Sequence, residues 1–276
     1  MKIRAGYSIA FECEHPATMV LMLTTRWERH DHLLTPDILA VHPFRPLRQY
    51  SDLYGNLCTR VAIGPGRTTF SADFLIRDTG LPDPAFPRAV QHPIEDLPDE
   101  VLIYLLSSRY CDTEALMQTA WALFGQTEPG WARVQAIVQY AHERITFGYA
   151  HANATRTASQ AHSEQVGVCR DFAHLAITLC RCMNIPARYC TGYLGDIGIP
   201  PIDAPMDFSA WFQVYLGGDW RTFDARHNRP RIGRIPIAVG RDATDVAIST
   251  SFGRTELVEF TVVTQEVAEA ALSRAG

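Results

Sequence analysis

Two adjacent glycines, Gly217 and Gly218, separate the runs "SAWFQVYL" (residues 209–216) and "DWRTFDA" (residues 219–225). A Gly-Gly pair tolerates positive φ at both central positions of a primed turn, so these runs are expected to form a tight antiparallel hairpin. A two-residue loop fixes the register. Leu216 then faces Asp219, Trp211 faces Asp224, and Ser209 faces Arg226. Opposed residues project to the same side, so Ser209, Trp211, Gln213, Thr222, Asp224 and Arg226 share one face. Ala210, Phe212, Val214 and Phe223 make the other, the core side. Ser209 and Asp224 become diagonal neighbours, with Cβ atoms somewhat under about 7–8 Å apart.

Upstream, in "VGVCRDFAHLAITLCRCMN", Val168, Phe172, Leu175, Ala176, Leu179 and Met183 recur at helical spacing. A buried helix therefore begins near Cys169. The unsatisfied N–H groups and the dipole of a helix start favour a thiolate, which marks Cys169 as a candidate nucleophile. Read structurally, the same residue is a small hydrophobe closing the helix start. The backbone N–H of Cys169 is the natural oxyanion donor in such an arrangement.

Residues 1–85 read as a β-rich domain. "IRAGYSIAFEC" alternates, "TMVLMLTT" is a buried-strand run, and "NLCTRVAI" and "TTFSADFLI" flank the turn "GPGR". Five prolines between Pro82 and Pro98 read as a linker. In residues 86–276, "DEVLIYLLSSR", "DTEALMQTAWALFG" and "PGWARVQAIVQYAHERI" each read as a helix, with Asp112 an expected N-cap and Pro129 a first-turn residue. Strands follow at "ARYCTGYL", "SAWFQVYL" and "WRTFDA". The expected class is α+β.

A chain of 276 residues with 47% apolar and 20% charged residues has a globular profile. Its net charge of −5 and lack of basic runs argue against nucleic acid. No run of 18 apolar residues exists to span a membrane, and the amino terminus lacks a signal-peptide core. Seven cysteines without regular spacing read as reduced thiols in a cytoplasm. Cys180 and Cys182 would point about 200° apart on a helix, a poor metal chelate, so no metal site is expected.

The segments "GVCRDFAHLAI…NIPARYCTGYL" and "DFSAWFQVYLGGDWRTFDARHN" resemble the bacterial transglutaminase-like, cysteine-protease-like superfamily, over about residues 154–228. The β-rich start is similar to the amino-terminal domain that often precedes this fold. The resemblance implies a papain-like core, in which a helix-start Cys packs on an antiparallel sheet that supplies His and Asp. It implies Cys169 as nucleophile, Asp224 as the residue orienting the base, a peptide or protein substrate, and no cofactor. Where the family pattern places the His base, this chain has Ser209, and Gln213 stands where a glutamate is common.

A serine hydroxyl cannot act as a general base near neutral pH. His227, three residues beyond Asp224 at a strand end, is the most credible substitute, ahead of His151 and His162 in the polar approach to Cys169. His174 lies about 140° round the helix from Cys169 and is expected to be structural. Arg226 could pair with Asp224 or hold a thiolate. Trp211, Gln213 and Arg226 are candidate groove residues, with Trp220 and Tyr215 as further aromatic walls; for the aromatics, packing between hairpin and helix is the structural alternative. Two functions follow: thiol acyl transfer or amide hydrolysis through a Cys169 thioester, or a weakened relative that binds a peptide or protein in the old groove.

Overall fold

The computed structural model describes residues 1–200 and 205–268. Its amino-terminal part is built from β1 (Lys2–Cys13), β2 (Ala17–Leu21), β3 (Ala40–His42), β4 (Leu47–Ser51), β5 (Leu57–Ile63) and β6 (Gly66–Arg77). Alternation decides their faces. Ile3, Ala5, Tyr7, Ile9 and Phe11 of β1 point inward with Phe70, Phe74 and Ile76 of β6, and Met19 and Leu21 of β2 join the same core. The expected strands and the turn at "GPGR" are present.

The second part begins with α1 (Asp99–Leu102), then α2 (Thr113–Phe124), α3 (Trp131–Arg144) and β7 (Thr146–Phe147). It continues with α4 (Ala158–Glu164), β8 (Val166–Gly167), α5 (Cys169–Cys182) and β9 (Ala187–Tyr193). The hairpin follows as β10 (Ser209–Leu216) and β11 (Asp219–Phe223), and the chain continues through β12 (Ile235–Gly240), β13 (Ser249–Phe252) and β14 (Glu256–Glu266). The central sheet is antiparallel, in the order β11-β10-β9-β12. Helix α5 lies across β9 and β10, burying Phe172, Leu175, Ala176 and Leu179 with Ala210, Phe212 and Val214. This is the α+β architecture expected of a transglutaminase-like core.

Four expectations fail locally. Pro129 lies outside α3, which begins at Trp131 after Gly130 at the N-cap. Only one turn forms at residues 99–102, followed by a 3-10 turn, in place of a helix through "DEVLIYLLSSR". Asp112 stands at the N-cap of α2 without capping it; its carboxylate instead accepts from the backbone N–H of Ser159 at 3.0 Å. The polar stretch before Cys169 contains helix α4, started by a Thr157–Gln160 capping box. The division at about residue 85 is also crossed by strand pairing. β14 pairs with β1 and β13 with β2, completing the two amino-terminal sheets β14-β1-β6-β3 and β13-β2-β5-β4. Strands β13 and β14 thus belong structurally with the amino-terminal part.

Candidate active site

The hairpin places the site. Gly217 and Gly218 take φ of 61° and 80°, and all five observed pairs, from Leu216↔Asp219 to Phe212↔Phe223, keep the register set by the two-glycine loop. The ladder then stops. The chain turns at Asp224, where the backbone N–H of Asn228 donates to the Asp224 carbonyl at 2.8 Å and that of His227 donates to Oδ1 at 3.0 Å. Arg226 therefore does not continue the ladder opposite Ser209. The turn instead folds the His227 ring back onto the carboxylate, and Nδ1 lies 2.8 Å from Oδ2.

Because an ionised carboxylate only accepts, Nδ1 carries the proton and Nε2 is left as the basic nitrogen. Asp224 is buried and also accepts from Arg234 Nη2 at 2.9 Å. Burial pushes the Asp224 carboxyl up, yet Arg234 first and His227 next hold it far below the ordinary carboxylate range. Burial lowers the His227 pKa, with Asp224 opposing and Arg231 and Arg226 assisting the shift. The imidazole is thus neutral at neutral pH, in the form that accepts a proton. His142, on α3, braces the turn from behind through Nδ1, 2.9 Å from the Arg226 carbonyl and 3.2 Å from that of Ala225.

Cys169 is the first residue of α5, as expected. Val168 precedes it with its N–H donated to Asp171 Oδ2 at 2.8 Å, and Arg156 Nη1 binds the same oxygen at 3.2 Å. Gly167 makes this possible, since a Cβ there would stand 2.7 Å from Asp171 Oδ2. Cys169, Ser209, Arg226 and His227 line one small chamber, together with Asp207 and Tyr149. The structure therefore brings Cys169 and the His227–Asp224 pair to one chamber, with no direct hydrogen bond between the sulfur and the imidazole. Catalytic contacts commonly tighten only when substrate is bound.

The expected acidity of the thiol is not what the surroundings produce. Burial pushes the Cys169 pKa up, and Asp207 pushes it further. Arg226 opposes most strongly, followed by the backbone N–H groups of Ala210 and Arg170. Desolvation thus outweighs the helix start. The Ala210 N–H is also a second donor beside the sulfur, supplied by the start of β10, which the sequence did not single out.

Access still selects Cys169. It is half-buried, whereas the other six cysteines are buried and free. Burial lifts Cys111 and Cys190 to about 11 and Cys182 to about 12. Limiting iodoacetamide on the native protein should therefore modify Cys169 first. Peptide mapping of the labelled protein checks this; first labelling at any other cysteine would contradict it.

The remaining candidates separate cleanly. Trp211 and Gln213 line a different cavity, which Cys169 does not reach, because α5 packs on the opposite face of the sheet. Trp211 is buried with Cys190 and Val239 and lies beneath the Arg234 guanidinium at 5.0 Å. Trp220 lines that cavity as well, whereas Tyr215 packs edge-on against Trp220. Arg226 stays at the Cys169 chamber, stacked on Phe147 at 3.9 Å. His162 pairs with the Tyr140 hydroxyl at 2.7 Å, and His151 lies outside the chamber lining. His174 is fully buried between Tyr110 and Tyr189, its Nε2 accepting from the Ala243 N–H at 3.2 Å. Cys180 and Cys182 are both buried, and among the described residues no group of three or more His, Cys, Asp or Glu is placed to hold a metal ion. No described helix is long and apolar enough to cross a membrane.

Arg234 and His142 were missed by sequence reasoning. Both act on the Asp224 turn from elements distant in sequence, and neither sits in a local pattern that marks it.

Residues 118–225 match the Transglutaminase-like superfamily. The chain is 24% identical over 262 residues to the uncharacterized protein ML0607 of Mycobacterium leprae, covering 89% of this chain and 91% of that protein. Its fold is similar to the crystal structure of "a Putative Cysteine Protease" from Cytophaga hutchinsonii, with a TM-score of 0.81 and 28% identity, covering 96% of this chain and 90% of that one. A helix-start cysteine on an antiparallel sheet, the match over residues 118–225 and this whole-chain likeness agree: the chain carries a transglutaminase-like core.

Proposed function

We propose that this protein is a thiol acyl-transfer enzyme that hydrolyses or exchanges an amide of a peptide or protein through a Cys169 thioester, with His227 as the base in place of the histidine absent at 209. The observation that carries this reading is the 2.8 Å bond from His227 Nδ1 to Asp224, made at the wall of the chamber that holds Cys169. In the proposed cycle, neutral His227 takes the Cys169 proton as the sulfur attacks the substrate carbonyl. The N–H groups of Cys169 and Ala210 stabilise the oxyanion, and the imidazolium then protonates the leaving amine. Water or a second amine, deprotonated by His227, releases the acyl group. Asp224 keeps the proton on Nδ1 and stabilises the imidazolium, and Arg234 holds Asp224 in place.

The raised thiol and lowered imidazole favour a neutral Cys–His pair over a preformed ion pair, so deprotonation accompanies attack. Seven free cysteines support a reducing compartment, the cytoplasm, as the place of action. The second reading, a groove that binds a peptide without cutting it, draws on Ser209, which lines the chamber where the resembled family has its base.

The two readings separate with p-nitrophenyl acetate and intact-mass spectrometry. The enzyme reading predicts one acetyl group on Cys169, none in Cys169→Ser, and release slowed about 10²–10⁴-fold in His227→Ala. Acetylation that matches Cys169→Ser, or release indifferent to His227, would favour the binding reading.

A further inference from the structure

The open cleft on the other face of the sheet has its own chemistry. Three cross-strand neighbours, Arg188 on β9, Gln213 on β10 and Thr222 on β11, run across its wall. Arg188 Nε donates to Gln213 Oε1 at 2.8 Å, and Gln213 Nε2 donates to Thr222 Oγ1 at 3.2 Å. The guanidinium carbon lies over Trp220, 4.1 Å from the ring centre. Its orientation is therefore fixed from one side by a neutral amide and from below by an indole.

Charge is not balanced at that point. Each acid lining this cavity already has an arginine of its own: Glu28 binds Arg26 at 2.8 Å, Asp78 binds Arg29 at 3.2 Å, Asp83 binds Arg234 at 2.9 Å, and Asp219 binds Arg221 at 3.2 Å. Among the described residues, Arg188 makes no ion pair; its hydrogen-bond partner is Gln213, and Glu28, already bound to Arg26, acts on it only at longer range. A largely buried guanidinium without a direct ion-pair partner is costly, and its planar fork matches an oxyanion bidentately.

We propose that Arg188 is the anchor of a second ligand site, which takes the carboxylate or phosphate group of a small molecule against Trp220. The site is separate from the Cys169 chamber, and the inference does not depend on the catalytic reading. Arg234 and Trp211 belong to the same cavity wall, and Arg234 also holds Asp224, so the ligand would sit one residue away from the base-orienting pair.

Titration calorimetry of the full chain with sodium phosphate and with sodium acetate, at constant ionic strength against chloride, tests this. Saturable binding of at least one anion is expected. Gln213→Glu supplies the missing carboxylate at nearly unchanged side-chain length, with Thr222 Oγ1 able to donate to it, and should weaken binding at least tenfold. Arg188→Met, which keeps the apolar stem on Trp220, should do the same. Binding of phosphate alone assigns a phosphate ligand, and binding of acetate alone a carboxylate one. No saturable binding by the natural protein, or equal binding by all three, would overturn the proposal.

Discussion

Asp224→Ala should destabilise the protein by about 3 kcal/mol, at the lower end of what removing one member of a buried ion pair costs. The carboxylate is buried and accepts three hydrogen bonds, from His227 Nδ1, the His227 N–H and Arg234 Nη2. Its removal leaves the buried Arg234 with Asp83 alone, 2.9 Å away on the other side, which moderates the loss. The turn that returns His227 to the chamber also loses its cap. Asp224→Asn keeps the shape and should cost less stability, but its amide can point an N–H at Nδ1, fixing the wrong tautomer. Acyl release in Asp224→Asn should then fall by orders of magnitude while urea unfolding shifts modestly. If Asp224→Ala and Asp224→Asn unfolded at the same urea concentration as the natural protein, the buried ion pair would not be supporting the turn.

Acid should destabilise this protein well above the range in which carboxylates titrate. His174 is fully buried, and burial is the main cause that pushes its pKa far down; Asp242 opposes, while Arg170 and Arg181 assist. In the unfolded chain the same ring takes its proton near 6.5. Below that pH the unfolded state binds one more proton than the folded state, so stability falls as pH falls, by up to about 1.4 kcal/mol per pH unit. Between pH 7.5 and pH 5 this one residue should remove about 2 kcal/mol. His227, also lowered by burial, adds to the slope in the same window. Urea unfolding at the two pH values measures it. His174→Gln, whose side-chain oxygen can still accept from the Ala243 N–H, should lose stability at pH 7.5 and show the smaller pH dependence. An unchanged slope in that variant would mean that the ring titrates normally in the folded protein.

What the sequence disclosed and what it hid divide along the reach of local physics. The β10–β11 register was legible because the two-glycine turn admits one pairing, and the start of α5 because six apolar residues recur on one helical face. The apparent pairing of Arg226 with Ser209 failed for an equally physical reason: Asp224 captures the His227 backbone N–H and turns the chain before the ladder can extend. That turn could not be read from alternation, yet it decides which histidine reaches the aspartate. Arg234, ten residues on, has no local pattern connecting it to Asp224; the contact exists because β12 returns beside β9. The acidity expected of Cys169 followed from its helix end alone, and a sequence cannot show how far a sulfur is desolvated. Strands β13 and β14 were overlooked because their partners lie more than two hundred residues earlier in the chain.

In the proposed mechanism His227, held by Asp224, is the base that serves Cys169. Its most direct test is the rate of Cys169 alkylation by iodoacetamide from pH 6 to pH 9 in the natural protein, His227→Ala and Ser209→His. With His227 as base, His227→Ala should slow alkylation across the neutral range and flatten the profile until the thiol ionises unaided, while Ser209→His should add little. The reverse pattern, with His227→Ala indistinguishable from the natural protein and Ser209→His markedly faster, would show that position 209 is the true seat of the base and that this chain lacks one.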